Sequence, residues 1–204
     1  MMQKYGKFKV AALCLVALGL IFGYQCVTGS QKDLAADQNE YVGAARCKMC
    51  HSGEAKGNVY QIWEKSKHHQ AWVTLGEAEA KKIGAEKKIA DPQTDKACEP
   101  CHVTAYDAPK AEVGKKFDIK MGVQCETCHG AGGNHVKARL ADEGPVKPDE
   151  IVHVPSATVC EGCHNNKSPT FKAFNYVEFV KKIEHVDPRI KHPANWIDTL
   201  GEKK

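Results

Sequence analysis

Residues 125–129 read Cys125-Glu126-Thr127-Cys128-His129, and the same frame recurs as Cys47-Lys48-Met49-Cys50-His51, Cys98-Glu99-Pro100-Cys101-His102 and Cys160-Glu161-Gly162-Cys163-His164. Of the ten cysteines in this 204-residue chain, only Cys14 and Cys26 fall outside these pairs. On a helical turn, residues i and i+3 share a face, so two thiols spaced this way can both reach vinyl groups on adjacent rings of a porphyrin. The next residue then brings an imidazole to the iron from the same side. Cys-x-x-Cys-His is accordingly read as the attachment site of c-type haem. Four such sites predict four covalently attached haems, with thioethers at Cys47, Cys50, Cys98, Cys101, Cys125, Cys128, Cys160 and Cys163. The proximal iron ligands are His51, His102, His129 and His164.

Rival uses of the cysteines fit less well. A disulfide between cysteines three apart is strained, and disulfides give no reason for a histidine after every pair. Zinc has a foothold at Cys125–Gly132, which also fits a Cys-x-x-Cys-x-Gly-x-Gly repeat. The other three pairs lack those glycines, and first-cysteine intervals of 51, 27 and 35 residues are too uneven for such an array. A thioredoxin-like pair would be single and set in a β-α-β pattern, which is absent.

Outward from the motifs, the N-terminus carries Lys4, Lys7 and Lys9 and then an uncharged apolar run from Val10 to Tyr24. That is the pattern of a secretory signal peptide, with cleavage expected after Gly29. The run is shorter than the roughly 20 residues of a membrane span, so a retained anchor is the lesser reading and a polytopic membrane protein is excluded. The expected organisation is a signal peptide over 1–29 and one tetrahaem domain over 30–204, delivered to the periplasm or beyond to the cell surface. Without the three leader lysines, the formal charge of +4 falls to +1, which removes the electrostatic case for nucleic-acid binding.

The mature segment is poor in core-forming residues. From Ser30 onward, Leu, Ile, Val and Phe number 30 in 175 residues, or 17%. Below about 20%, a chain struggles to bury a core of its own. Four porphyrin plates would supply the missing interior, so the chain is expected not to fold without haem. The fold class follows: mainly α, a small multihaem protein built around its cofactors, with little β structure.

Six histidines remain as candidate distal ligands: His68, His69, His135, His153, His185 and His192. Met121 is the one free mature thioether, so bis-histidine haems of low potential are expected. Asn58–Leu75 reads as a helix carrying Trp63 and His68, and Phe174–Glu184 as another with His185 at its end. His135 follows the Gly130–Gly133 turn only six residues after His129, too short a link to wrap a porphyrin edge. It should therefore reach a different haem. His69 points about 100° from His68 on a helix, so one of the two is expected to bind iron. The favoured set is His68, His135 and His185.

These motifs together resemble the tetrahaem cytochrome c-554 family. The matching pieces are Tyr41-Val42-Gly43, Trp63-x-x-Ser66-x-His68 and Gly122-Val123-x-Cys125-Glu126-x-Cys128-His129-Gly130-x-Gly132, followed by the helix leading to His185. The tail after Pro188 and the segment 85–96 match less clearly. The resemblance implies a mostly helical fold with haems stacked in pairs, three of them bis-histidine and the second five-coordinate. Carried over, His135 would face His51, His68 would face His129 and His185 would face His164. The His102 haem would be open, although His153 and His192 are available to close it.

The expected function is periplasmic electron transfer between redox partner proteins, with no nucleic-acid partner and no stable membrane insertion. Each ferric haem adds roughly one negative charge, so partners should present basic patches. Two alternatives come from other classes. One is an enzyme that reduces nitric oxide or a related small molecule at the His102 haem. The other is an oligomer or extracellular haem filament, in which His192 would ligate a haem of the next subunit.

Overall fold

The computed structural model describes residues 39–147 and 149–201, so the expected signal peptide lies outside the described residues. Short helices carry them: α1 Ala44–His51, α2 Val59–Glu64, α3 Ala71–Leu75, α4 Ala78–Glu86, α5 Glu99–His102, α6 Cys125–His129, α7 Gly133–Leu140, α8 Ala157–Glu161 and α9 Tyr176–Ile183. Even α4 has only nine residues. Helices this short are marginal in water and persist only by packing on something else. Among the described residues there is no strand, only an isolated parallel bridge between Tyr41 and Val113. The mainly α architecture expected from the sequence is what is found.

The polypeptide interior is as thin as the composition predicted. Among the described residues, the buried apolar side chains are Ala44, Tyr60, Trp63, Leu75, Val103, Val123, Ala138 and Ile197. A longer set of large apolar side chains lies exposed, from Leu140 at 65% and Met49 at 63% to Ile62, Val73, Val152, Val159 and Phe171. Met49 lies inside the first motif and Val159 beside the fourth, where attached porphyrins would take them out of water at roughly 25 cal/mol per Å² of apolar surface.

What the chain does build for itself is a polar knot around the third motif. Trp63, its ring tilted against Tyr60 with centres 5.3 Å apart, donates its indole N–H to the Val123 carbonyl at 2.9 Å. Gln124 accepts from the Ala44 N–H at 2.7 Å, donates its amide to the Asp118 carbonyl, and gives its own backbone N–H to the Thr104 hydroxyl at 2.7 Å. Glu126 accepts from three backbone N–H groups, those of Val42 at 2.9 Å, Gly43 at 2.8 Å and Gly132 at 2.7 Å. Buried polar groups are costly unless satisfied in this way. Gly122 has φ +73°, and a Cβ there would sit 2.6 Å from the His68 carbonyl oxygen and 2.7 Å from that of His69. Only glycine allows the third-motif strand of chain to run so close to the distal histidines.

Two helix expectations are corrected. The helix read over Asn58–Leu75 is broken into α2 and α3 by a turn at 65–70. There the Ser66 hydroxyl accepts from the His69 N–H, and the Val123 N–H takes the His68 carbonyl at 2.9 Å. Side-chain and tertiary partners have replaced the helical ladder. The helix expected from Phe174 starts instead at Tyr176, because the Asn175 side chain caps it by accepting from the Glu178 N–H at 3.1 Å. His185 therefore follows α9 instead of ending it.

Candidate haem centres

All four motifs sit on a helical turn, as thiol geometry requires. The first lies within α1 and the third is α6, while Cys98 stands at the N-cap of α5, which carries the rest of the second. The fourth runs off the end of α8, and the His164 N–H bonds to the Cys160 carbonyl at 2.9 Å to keep the turn.

Three proximal histidines face a second histidine. His51 and His135 have ring centres 6.2 Å apart, His68 and His164 6.1 Å, and His129 and His185 5.9 Å. A metal between two imidazoles needs two metal–nitrogen bonds of about 2 Å and two ring radii of about 1 Å, hence centres about 6 Å apart. Direct ring contacts elsewhere in the chain are tighter, at 4.6 Å for Trp63 and His69 and 4.7 Å for His192 and Trp196. The three facing pairs therefore fit a bis-histidine iron.

The partners are not all those expected. His135 meets His51 as anticipated, but the other two are exchanged: His68 faces His164, and His185 faces His129. The cause lies in α9, which folds back so that Phe179 meets the His164 ring at 5.6 Å. His185 lies six residues further on, two of them beyond the end of α9, which carries it past His164 to His129. Phe174 stacks on His164 at 5.1 Å.

Among the described residues no aromatic or imidazole ring faces His102. Its Nδ1 is bonded to the Ala71 carbonyl at 2.8 Å. The spare histidines are engaged or remote: His69 stacks on Trp63 with its Nδ1 on the Met121 carbonyl, His192 stacks on Trp196, and His153 is exposed.

Electrostatics and outer partners suit iron binding. Burial pushes the pKa values of His51, His68, His129 and His164 down, which favours neutral imidazoles with a free nitrogen lone pair. Nδ1 of His102, His129 and His185 bonds to the carbonyls of Ala71, Val152 and Ile183 respectively. A carbonyl only accepts, so Nδ1 carries the proton and Nε2 is left for the metal. His135 differs, with a carboxylate as partner: Glu150 Oε2 lies 3.4 Å from its Nδ1.

The thiols show which motifs adjoin. Cys47 and Cys125 act on one another, and the helices that carry them pack together, which brings the first and third motifs side by side. Cys128 and Cys160 interact, as do Cys163 and Cys101. By their thiols the motifs run in the order first, third, fourth, second, while Thr104, just beyond the second, also meets Thr127 of the third at 2.6 Å.

Several residues of this arrangement were not singled out from the sequence. The sequence marks Glu126 only as part of a motif, and it gives no sign of Gln124, Glu150 or Arg189. Their roles depend on contacts such as that of Glu126 with Val42, 84 positions away. The glycine-rich turn beside a motif glutamate is the one local signal, since bare backbone N–H groups seek an acceptor.

Comparison with known proteins agrees with these features. The sequence model of the family described as "Cytochrome c554 and c-prime" matches residues 46–130, which include the first three motifs. Cytochrome c-554 of Nitrosomonas europaea is 30% identical over 138 residues, covering 63% of this chain and 56% of that protein. The chain thus spans about half the length of the curated relative it matches. No solved structure matches. Among the described residues, no helix is long and apolar enough to cross a membrane.

Proposed function

The chain belongs to the cytochrome c-554 family, and from that premise we propose that it is an exported, periplasmic electron carrier that holds four haems c and passes electrons between two redox proteins. Membership implies covalently bound haem c. The count of four rests on the four complete motifs, and the single observation that carries the function is the set of three facing histidine pairs about 6 Å apart.

Haem c supplies a one-electron iron couple when bound. The chain's own residues do the rest. His51 with His135, His129 with His185 and His164 with His68 would occupy both axial positions of three irons, leaving no site for water or a small ligand. The Cys47–Cys125, Cys128–Cys160 and Cys163–Cys101 neighbours support an order of centres running first, third, fourth, second. A series with two ends suits a carrier that accepts at one end and donates at the other, and haem carboxylates exposed there would be met by basic partner surfaces.

A second reading has an observation of its own. No ring faces His102 among the described residues, so that centre would offer a vacant axial position, which a reductase of nitric oxide or a related small molecule requires. The filament reading gains no support of this kind, since His192 is stacked on Trp196.

Spin-state analysis of the oxidised, haem-loaded protein tests both readings. Three low-spin haems and one high-spin haem that binds carbon monoxide on reduction are expected. Four low-spin haems would remove the reductase reading, and a protein mass not raised by four haems would remove the carrier reading as well.

A further inference from the structure

The surroundings of the His51–His135 pair set it apart from the other two. Glu150 is 8% exposed, and bonds to Lys147 fix its carboxylate. Its Oε1 accepts from the Lys147 N–H at 3.2 Å, while its own N–H bonds to the Lys147 carbonyl at 3.1 Å. The other oxygen, Oε2, is thereby aimed at two partners: Nδ1 of His135 at 3.4 Å and the Arg139 guanidinium at 3.5 Å. His135 and Arg139 are four residues apart on one face of α7, so a single carboxylate reaches both.

The opposite side carries a second carboxylate. Asp187, its side chain 9% exposed, is gripped by the backbone N–H and guanidinium of Arg189. The segment 186–188 packs over Gly57, where a Cβ would collide with the Val186 carbonyl, in the turn that follows His51. Asp187 acts electrostatically on His51, opposed there by the more exposed Arg189 and by Lys56, and Arg189 also acts on Cys50. The order through the centre is therefore Arg139, Glu150, His135, His51, Asp187, Arg189. Both arginines are the more exposed members of their pairs, at 24% and 60% against 8% and 9%. Solvent screens the positive ends more than the negative ones.

We propose that Glu150, aided by Asp187, positions and polarises the His51–His135 pair so that the centre it holds has the lowest reduction potential of the four. A carboxylate charge 3.4 Å from Nδ1 stabilises positive charge on the ring and makes Nε2 a stronger donor, and it favours Fe(III) over Fe(II). The neutral carbonyls that hold His102, His129 and His185 do this more weakly. The first motif also stands at one end of the series, so the most reducing centre would lie at a terminus facing a redox partner.

The inference rests on reading His51 and His135 as an axial pair, and the test separates the two claims. Spectroelectrochemical titration of the haem-loaded protein is run on His135→Met, Glu150→Gln and Arg139→Met. His135→Met should raise one of four midpoints and so identify the centre; no change in any midpoint or haem spectrum would overturn the axial reading. Glu150→Gln should raise that same midpoint and leave the other three in place. Arg139→Met should lower it, because the carboxylate then acts uncompensated. Opposite signs from two substitutions that break one ion pair are an electrostatic signature that mere loosening would not give. A Glu150→Gln protein whose identified midpoint is unmoved, or shifts the same way as in Arg139→Met, overturns the proposal.

Discussion

The first and second motifs are the same five-residue device placed in opposite surroundings. Around His51 stand a facing imidazole, the buried carboxylate of Glu150, the half-buried Asp187 and the turn at 53–57. Around His102, one main-chain carbonyl orients the ring and no imidazole stands across from it. The Cys-x-x-Cys-His segment therefore decides where a haem is attached and nothing more. Whether the iron is sealed or open, and how strongly it holds an electron, is decided by residues far away in sequence. His135 comes from the turn beyond the third motif, and Glu150 from the loop beyond that.

The sharpest way to break this contrast is to open the closed site. His135→Ala should convert the first centre from low-spin to high-spin, so that the reduced protein binds two carbon monoxide molecules per chain where the parent binds one. Added imidazole should reverse the change in the optical spectrum. A variant that still binds one would show that another group closes the first centre.

Next in size is the loss of Glu126, which is 3% exposed and ties the third motif to the elements of the closed site. Its three backbone bonds tie the entry to α1 at Val42 and Gly43 to the Gly132 turn that launches α7 and His135. Burial raises the Glu126 pKa even against those three bonds, a sign of how little water reaches it. Glu126→Ala strands three buried donors and should cost about 3 kcal/mol or more, read as a lowered midpoint in chemical denaturation of the haem-loaded protein. A loss within about 0.5 kcal/mol, the range of neutral surface changes, would mean that the knot around α6 is dispensable.

Much of this was legible beforehand, and the reasons for the remainder are physical. Attachment chemistry is local, so spacing alone located four motifs, and composition alone foretold a chain with few buried apolar groups of its own. His135 was assigned to His51 by the resemblance, and the shortness of its link to His129 supported a different haem. The exchange of His68 and His185 was not legible, because it depends on how far α9 travels back over His164 before the chain turns. Helical periodicity likewise carried the α2–α3 segment through 65–70, since nothing local announces that the Val123 N–H will claim the His68 carbonyl. Glu150 and Gln124 were invisible for the same reason: an acceptor's importance lies in the donors that folding brings to it.

The smallest effect should come from the strut that joins the two kinds of site. Gln124 is 1% exposed and touches both. Its side chain accepts from Ala44 at the start of α1, and its backbone N–H bonds to the hydroxyl of Thr104, two residues beyond His102. Gln124→Met keeps the volume and the backbone bond but removes the acceptor for Ala44 and the donor to Asp118. The Asp118 carbonyl can turn to water, whereas the Ala44 N–H is sealed in, so the cost should be about 2 kcal/mol in denaturation. The substitution touches only the α1 side of the strut, so the closed centre should loosen while the open one keeps its carbon monoxide affinity. Equal disturbance of both would show that the two sites share one rigid frame, and that their difference arises only from the ligands each is given.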